Sequence, residues 1–158
     1  MSERWGALVA GLLLAILGCP APPGDDGGLD ADPIFPADVE TAFTEARECR
    51  TSIDHDLRHF KVFTDALAQG PYANRDAPFP EGATVVKVEY ADEGCTDVVG
   101  YTAMKKLAEG SDSNALDWHW QQTEADRRVL EDGSVQRCYT CHRTCEAPEG
   151  WEHTCAVP

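Results

Sequence analysis

In the middle of the chain three successive runs alternate apolar and polar side chains, the period of an extended strand with one face buried. In "ATVVKVEY", Val86, Val88 and Tyr90 fall on one side, while Val85, Lys87 and Glu89 fall on the other. "TDVVGYTAMKKL" repeats the pattern with Val99, Tyr101 and Ala103, and "LDWHWQQ" groups Leu116, Trp118 and Trp120 against His119. The connections "ADEGC" and "AEGSDSNA" carry turn chemistry, so the three runs predict an antiparallel meander.

The flanks read differently. From Asp38, Val39, Ala42, Phe43, Ala46 and Cys49 recur at spacings of three and four, which predicts a helix with one apolar face. "HFKVFTDALA", with Phe60 and Val62 alternating, predicts a strand or a strand-to-helix junction, and "GPYANRDAPFPEG" a long loop, its prolines ruling out a central strand. Near the end, Gly133-Ser134 is expected to close one element, with Ser134 capping a last helix that runs through Cys138 and His142. The fold class that follows is α+β, mainly an antiparallel sheet with a few helices packed on it.

At 158 residues the chain suits one compact domain with an appendage. A net charge of -15 without a cluster of Lys and Arg excludes nucleic acid as a partner. The start, "MSERWGALVAGLLLAILGC", has a short polar opening and an apolar run from Ala7 to Leu17, too short to span a bilayer comfortably but matching the core of an export signal. Ile16-Leu17-Gly18-Cys19 resembles the lipobox of bacterial lipoproteins, with cleavage before Cys19 and a diacylglycerol on its sulfur; the alternative is an uncleaved anchor helix with an incidental cysteine. The expected organisation is a signal peptide over 1–18, an acidic Pro/Gly-rich tether over 19–37 and a folded domain over 38–158. The tether could reach roughly 50 Å at about 3.3 Å per extended residue, and its aspartates lack the spacing of a calcium loop. The expected location is the cell envelope, lipid-anchored on the periplasmic side or the outer surface, where disulfides persist.

Seven cysteines then need an explanation. Cys138-Tyr139-Thr140-Cys141-His142 has the spacing of covalent haem attachment: two sulfurs for thioethers and an adjacent imidazole for the iron. With Cys19 assigned to lipid, Cys49, Cys95, Cys145 and Cys155 remain, an even number that fits two disulfides. Of the three possible pairings, Cys49 with Cys95 and Cys145 with Cys155 is favoured, because the second pair closes a short loop after the haem helix. Two rival readings stay open. Cys138, Cys141, Cys145 and His153 or Cys155 could form a tetrahedral zinc site, or all these cysteines could belong to a disulfide framework.

"FPEGATVVKVEY", "CTDVVGYTAMKKL", "DWHWQQ" and "CYTCH", in that order over about Arg58 to His142, resemble the successive strands and haem motif of the cytochrome P-460 family. The resemblance implies a sheet with one c-type haem against one face, and an activity toward hydroxylamine or, as in the related cytochromes c-prime-beta, nitric oxide binding on a five-coordinate iron. It also implies a redox partner cytochrome and a homodimer. A lysine cross-linked to the porphyrin in the enzymes would correspond to Lys87, and Glu89 is the candidate proton acceptor. Cys95, Cys145 and Cys155 are extra to the family pattern.

The sixth iron position separates two functions. Met104, His55, His59 or His153 could fill it and give an electron carrier, whereas Phe60, Phe63 and Phe79 could form an apolar distal face that leaves it open. Trp118 and Trp120 are expected in the core or against the haem, His119 facing away, and Met104 in packing.

Overall fold

A computed structural model describes residues 28–52, 55, 58–147 and 150–155. Among the described residues six strands form one sheet in sequential order, every neighbouring pair antiparallel. They are β1 (Thr44–Thr51), β2 (His59–Thr64), β3 (Thr84–Tyr90), β4 (Val98–Lys106), β5 (Trp118–Glu124) and β6 (Val129–Gly133). The described residues also hold three short α-helices, α1 (Val39–Ala42) before β1, α2 (Gln69–Asn74) between β2 and β3 and α3 (Gln136–His142) after β6, and a 3-10 turn over Ser113–Ala115.

The register sorts side chains onto two faces. Val62 stands opposite Lys87, Lys87 opposite Thr102, and Thr102 opposite Gln122, so these four share a face with Phe60, Val85, Glu89, Met104 and Trp120. We call this the α3 face. Its apolar part, with Val62, Phe79, Val85, Met104, Trp118 and Trp120 buried, is covered by Tyr72 of α2 and by Cys138 and Tyr139 of α3. On the other face Phe63, Val86, Val88, Tyr90 and Ala103 are buried under Phe35 and Val39. Full burial of an aliphatic or phenyl side chain contributes about 1.5–3 kcal/mol each, which is why the alternation in β3 is decisive: one residue's slip in register would exchange the two faces.

Several expectations need correction. The apolar spacing after Asp38 gives only one helical turn; Thr44–Thr51 is instead an edge strand, bulged at two points against β2, which breaks the two-residue period and leaves a pattern that mimics a helix. The prolines of "GPYANRDAPFPEG" predict a loop, yet its first five residues lie in α2, with Pro71 in the first turn and Tyr72 buried. Val98, rather than Val99, packs with Tyr101 on the Phe35 side, because a register shift beside Tyr90 changes the phase of β4. β6 is a further strand that its short, charged sequence did not announce. Val135, not Ser134, occupies the cap of α3, and the Ser134 hydroxyl bonds the Asp112 carboxylate.

The expected tether also ends sooner. Phe35 is buried, Ile34 N–H donates to the Gln121 side-chain carbonyl at 2.9 Å, and Arg127 donates to the carbonyls of Phe35 and Pro36 at 2.8 and 2.9 Å. Folded structure therefore begins before Asp38. The signal peptide and Cys19 lie outside the described residues. Among the described residues no helix is long and apolar enough to cross a membrane.

Disulfides join Cys49 to Cys95 and Cys145 to Cys155, the pairing favoured from sequence. The first ties edge strand β1 to the β3–β4 turn.

Candidate functional site

α3 follows β6 after a two-residue link and carries Cys138, Cys141 and His142 across the α3 face. Cys138 and Cys141 are the free cysteines among the described residues, three apart on one helix and hence on one side of it. Cys138 is half-buried against the core and Cys141 exposed. Burial pushes the Cys138 thiol up, with the neighbouring Arg137 opposing.

His142 is half-buried, its ring set edge-on to Trp120 at 4.8 Å between centroids. Its Nδ1 lies 2.6 Å from the His153 carbonyl oxygen. A carbonyl can only accept, so Nδ1 carries the proton. Burial pushes the pKa of the ring down to about 4; the His153 carbonyl opposes this, while Lys87 and His55 add to it. The imidazole is therefore neutral at physiological pH, with the Nε2 lone pair available to a metal.

The same face holds a polar group within electrostatic reach of His142. The Lys87 ammonium sits over the Phe60 ring at 4.4 Å from its centroid. Beside it, Glu89 is only 6% exposed, with His55 Nδ1 and an Arg58 guanidinium nitrogen each 3.6 Å from its carboxylate. Burial alone would raise the Glu89 pKa, but His55, Arg58 and Lys87 outweigh it and hold the carboxyl below its ordinary range. Arg137 reaches back from α3 to Glu131 and Gln122. A cavity of about 400 Å³ opens here, lined by Arg58, Glu89, Gly100, Gln122 and Glu124 among others, within the size range of small-molecule sites. Glycine is required at position 100 by the close approach of β5: a Cβ there would sit 2.9 Å from the Thr123 carbonyl oxygen. A shallower depression of about 770 Å³ runs along the outer side of α3 past Arg137, Thr140 and Cys141.

The remaining sequence candidates divide cleanly. Lys87 and Glu89 share the face that α3 covers, and so does Phe60, whereas Phe63 is buried on the opposite face. Phe79 packs edge-on against Trp118 at 5.3 Å, and Met104 is buried in the same cluster. His59 bonds Thr51 on the edge pair, and His119, on the far side of β5 from Trp118 and Trp120, bonds Asp132 at 2.8 Å. The His153 side chain meets Glu146 at 3.0 Å, leaving its backbone carbonyl to serve His142. Of the four proposed sixth ligands, His55 is the one that shares the polar pocket with Glu89. The zinc alternative loses Cys145 and Cys155 to a disulfide, and among the described residues no group of three or more His, Cys, Asp or Glu is arranged to hold a metal ion.

Sequence reading missed Arg58, Arg137 and the His153 carbonyl. The two arginines reach the site from a loop and from a helix position that no motif marks, and a main-chain acceptor has no sequence signature at all. As a donor set, a neutral imidazole with its Nδ1–H engaged, two free thiols on the same helix and an aromatic wall fit a c-type haem. The chain matches no protein-family model and no curated protein.

Proposed function

We propose that this chain is an exported, lipid-anchored c-type haem protein of the cytochrome P-460 kind that binds or oxidises small nitrogen species such as hydroxylamine or nitric oxide. Cys138 and Cys141 would carry the thioethers and His142 would hold the iron through Nε2. When bound, the haem supplies a redox-active iron with a position for a small ligand. The observation that carries the reading is the state of His142: neutral, Nδ1–H engaged by a backbone carbonyl, and next to the two free cysteines. Its resemblance-based companions support it, since Lys87 and Glu89 lie on the sheet face under the same helix. Glu89 is ionised at neutral pH and can accept a proton from a bound N–O compound, with His55 beside it to pass the proton on. Lys87 contributes positive charge and, as in the enzymes of that family, a candidate cross-link.

One observation favours a second reading, a six-coordinate electron carrier: His55 is in the same pocket as Glu89 and within electrostatic reach of His142. Ferrous spectra of the haem-loaded protein with and without nitric oxide separate the two. The open-site reading expects a high-spin spectrum that nitric oxide changes. An unchanged low-spin spectrum, converted to high spin by His55→Ala, establishes the carrier. Comparing intact masses and haem extraction in wild type and Lys87→Ala tests the cross-link; identical behaviour removes any covalent role for Lys87.

A further inference from the structure

The loop closed by Cys145 and Cys155 presents the His153 carbonyl to His142, and three independent features fix that carbonyl. The disulfide spans ten residues and brings the two Cα atoms to 4.8 Å. Inside it, Trp151 and Thr154 exchange backbone hydrogen bonds at 3.1 and 2.8 Å across a two-residue turn. The turn residues Glu152 and His153 have φ of 45° and 67°, the left-handed region, although neither is glycine. Such a conformation is unfavourable for any residue with a side chain and persists only where surrounding structure imposes it. Gly150 is the third feature: a Cβ there would lie 2.6 Å from the Cys145 carbonyl oxygen and 2.8 Å from that of Thr154. The loop is fastened to the body through Trp151 Nε1–H, which donates to the Ala77 carbonyl at 2.9 Å, and through the Glu152 carboxylate, which accepts from Phe79 N–H at 3.3 Å. Inside the loop, His153 N–H donates to the Cys145 carbonyl at 3.1 Å.

We propose that the disulfide-closed loop is a positioning element for His142, holding its ring orientation and its Nδ1–H tautomer through the His153 carbonyl. Cys145, Gly150, His153 and Cys155 are its positioning residues. None touches a reacting atom. A carbonyl on Nδ1–H makes Nε2 a stronger donor to a metal and steadies the ring that carries it. The consequence for the iron rests on the haem reading; the tautomer does not.

The test uses the full chain, haem-free and haem-loaded, with three variants. Gly150→Ala forces the loop apart while keeping the disulfide, and the double variant C145S/C155S removes the disulfide. His153→Gly keeps the carbonyl and relieves the left-handed strain. In haem-free protein, ring nitrogen shifts are expected to show Nδ1–H in wild type and His153→Gly, and its loss in the other two. In haem-loaded protein the reduction potential is expected to rise in Gly150→Ala and C145S/C155S and to hold in His153→Gly, because a weaker donor favours ferrous iron. If all four proteins share one tautomer and one potential, the positioning role is wrong. A wild type that takes up no haem yet shows the expected tautomer pattern overturns the haem reading and leaves this one standing.

Discussion

Cutting the Cys49–Cys95 link is the perturbation whose cost follows most directly from the fold. None of the eight residues of β1 is fully buried, and its ladder to β2 is interrupted twice. Beyond that ladder, the strand is held by contacts with α1 and α2, among them Arg47 over the Tyr72 ring, and by one covalent tie to the β3–β4 turn. The link spans 46 residues, against 10 for Cys145–Cys155. Chain-entropy arithmetic puts the loss at about 4 kcal/mol for the longer loop and about 2.7 kcal/mol for the shorter. The first figure is a large share of the 5–15 kcal/mol typical of a whole domain. We expect C49A/C95A to unfold at lower urea with a loss of about 2–4 kcal/mol, larger than that of C145S/C155S, and to show faster amide exchange in β1 than in β3 to β5. Tryptophan fluorescence reports the unfolding, since Trp118 and Trp120 are buried. A loss under about 1 kcal/mol with β1 protection intact would refute the assignment of β1 as a tethered edge.

The other predictions concern the site. Glu89 has a lowered folded-state pKa, so the stability it contributes is present above its ordinary value of 4.5 and lost as pH falls through the folded value. Wild type should therefore lose more stability than Glu89→Gln between about pH 5 and pH 3 in thermal melts, and parallel curves would show that the His55 and Arg58 contacts carry no energy. Trp120 is 3% exposed, packs on His142 and donates from Nε1 to Ala115 at 3.0 Å; Trp120→Ala is expected to cost about 3–5 kcal/mol in denaturant titration, and a cost below about 1 kcal/mol would contradict its place in the core.

How much of this was legible in the sequence depends on whether a residue acts through its pattern or through its neighbours. β3 and β5 could be read because Val85 to Tyr90 and Trp118 to Trp120 alternate against two covered faces, with β4 keeping the pattern at Tyr101 and Ala103. β1 could not, because an edge strand buries little and its bulges shift the phase until Ala42, Ala46 and Cys49 imitate a helix. Phe35 was hidden in a stretch of Pro, Gly and Asp whose average composition suggested solvent, while its buried ring and the bonds from Arg127 and to Gln121 dock it. The Cys-x-x-Cys-His spacing was visible since it is local. The pocket around Glu89 was half visible: Lys87 and Glu89 lie on one strand, but His55 and Arg58 arrive from loops and meet it only in the folded chain, as the His153 carbonyl meets His142.

The central claim is covalent: Cys138 and Cys141 hold a haem. A pyridine haemochrome assay on the full chain, produced with cytochrome c maturation machinery and exported, tests it most directly. The account predicts a spectrum of thioether-linked haem at one per chain, lost in C138S/C141S. A colourless protein from that host, with the sulfurs of Cys138 and Cys141 titrating as free thiols or recovered as a disulfide, would contradict it.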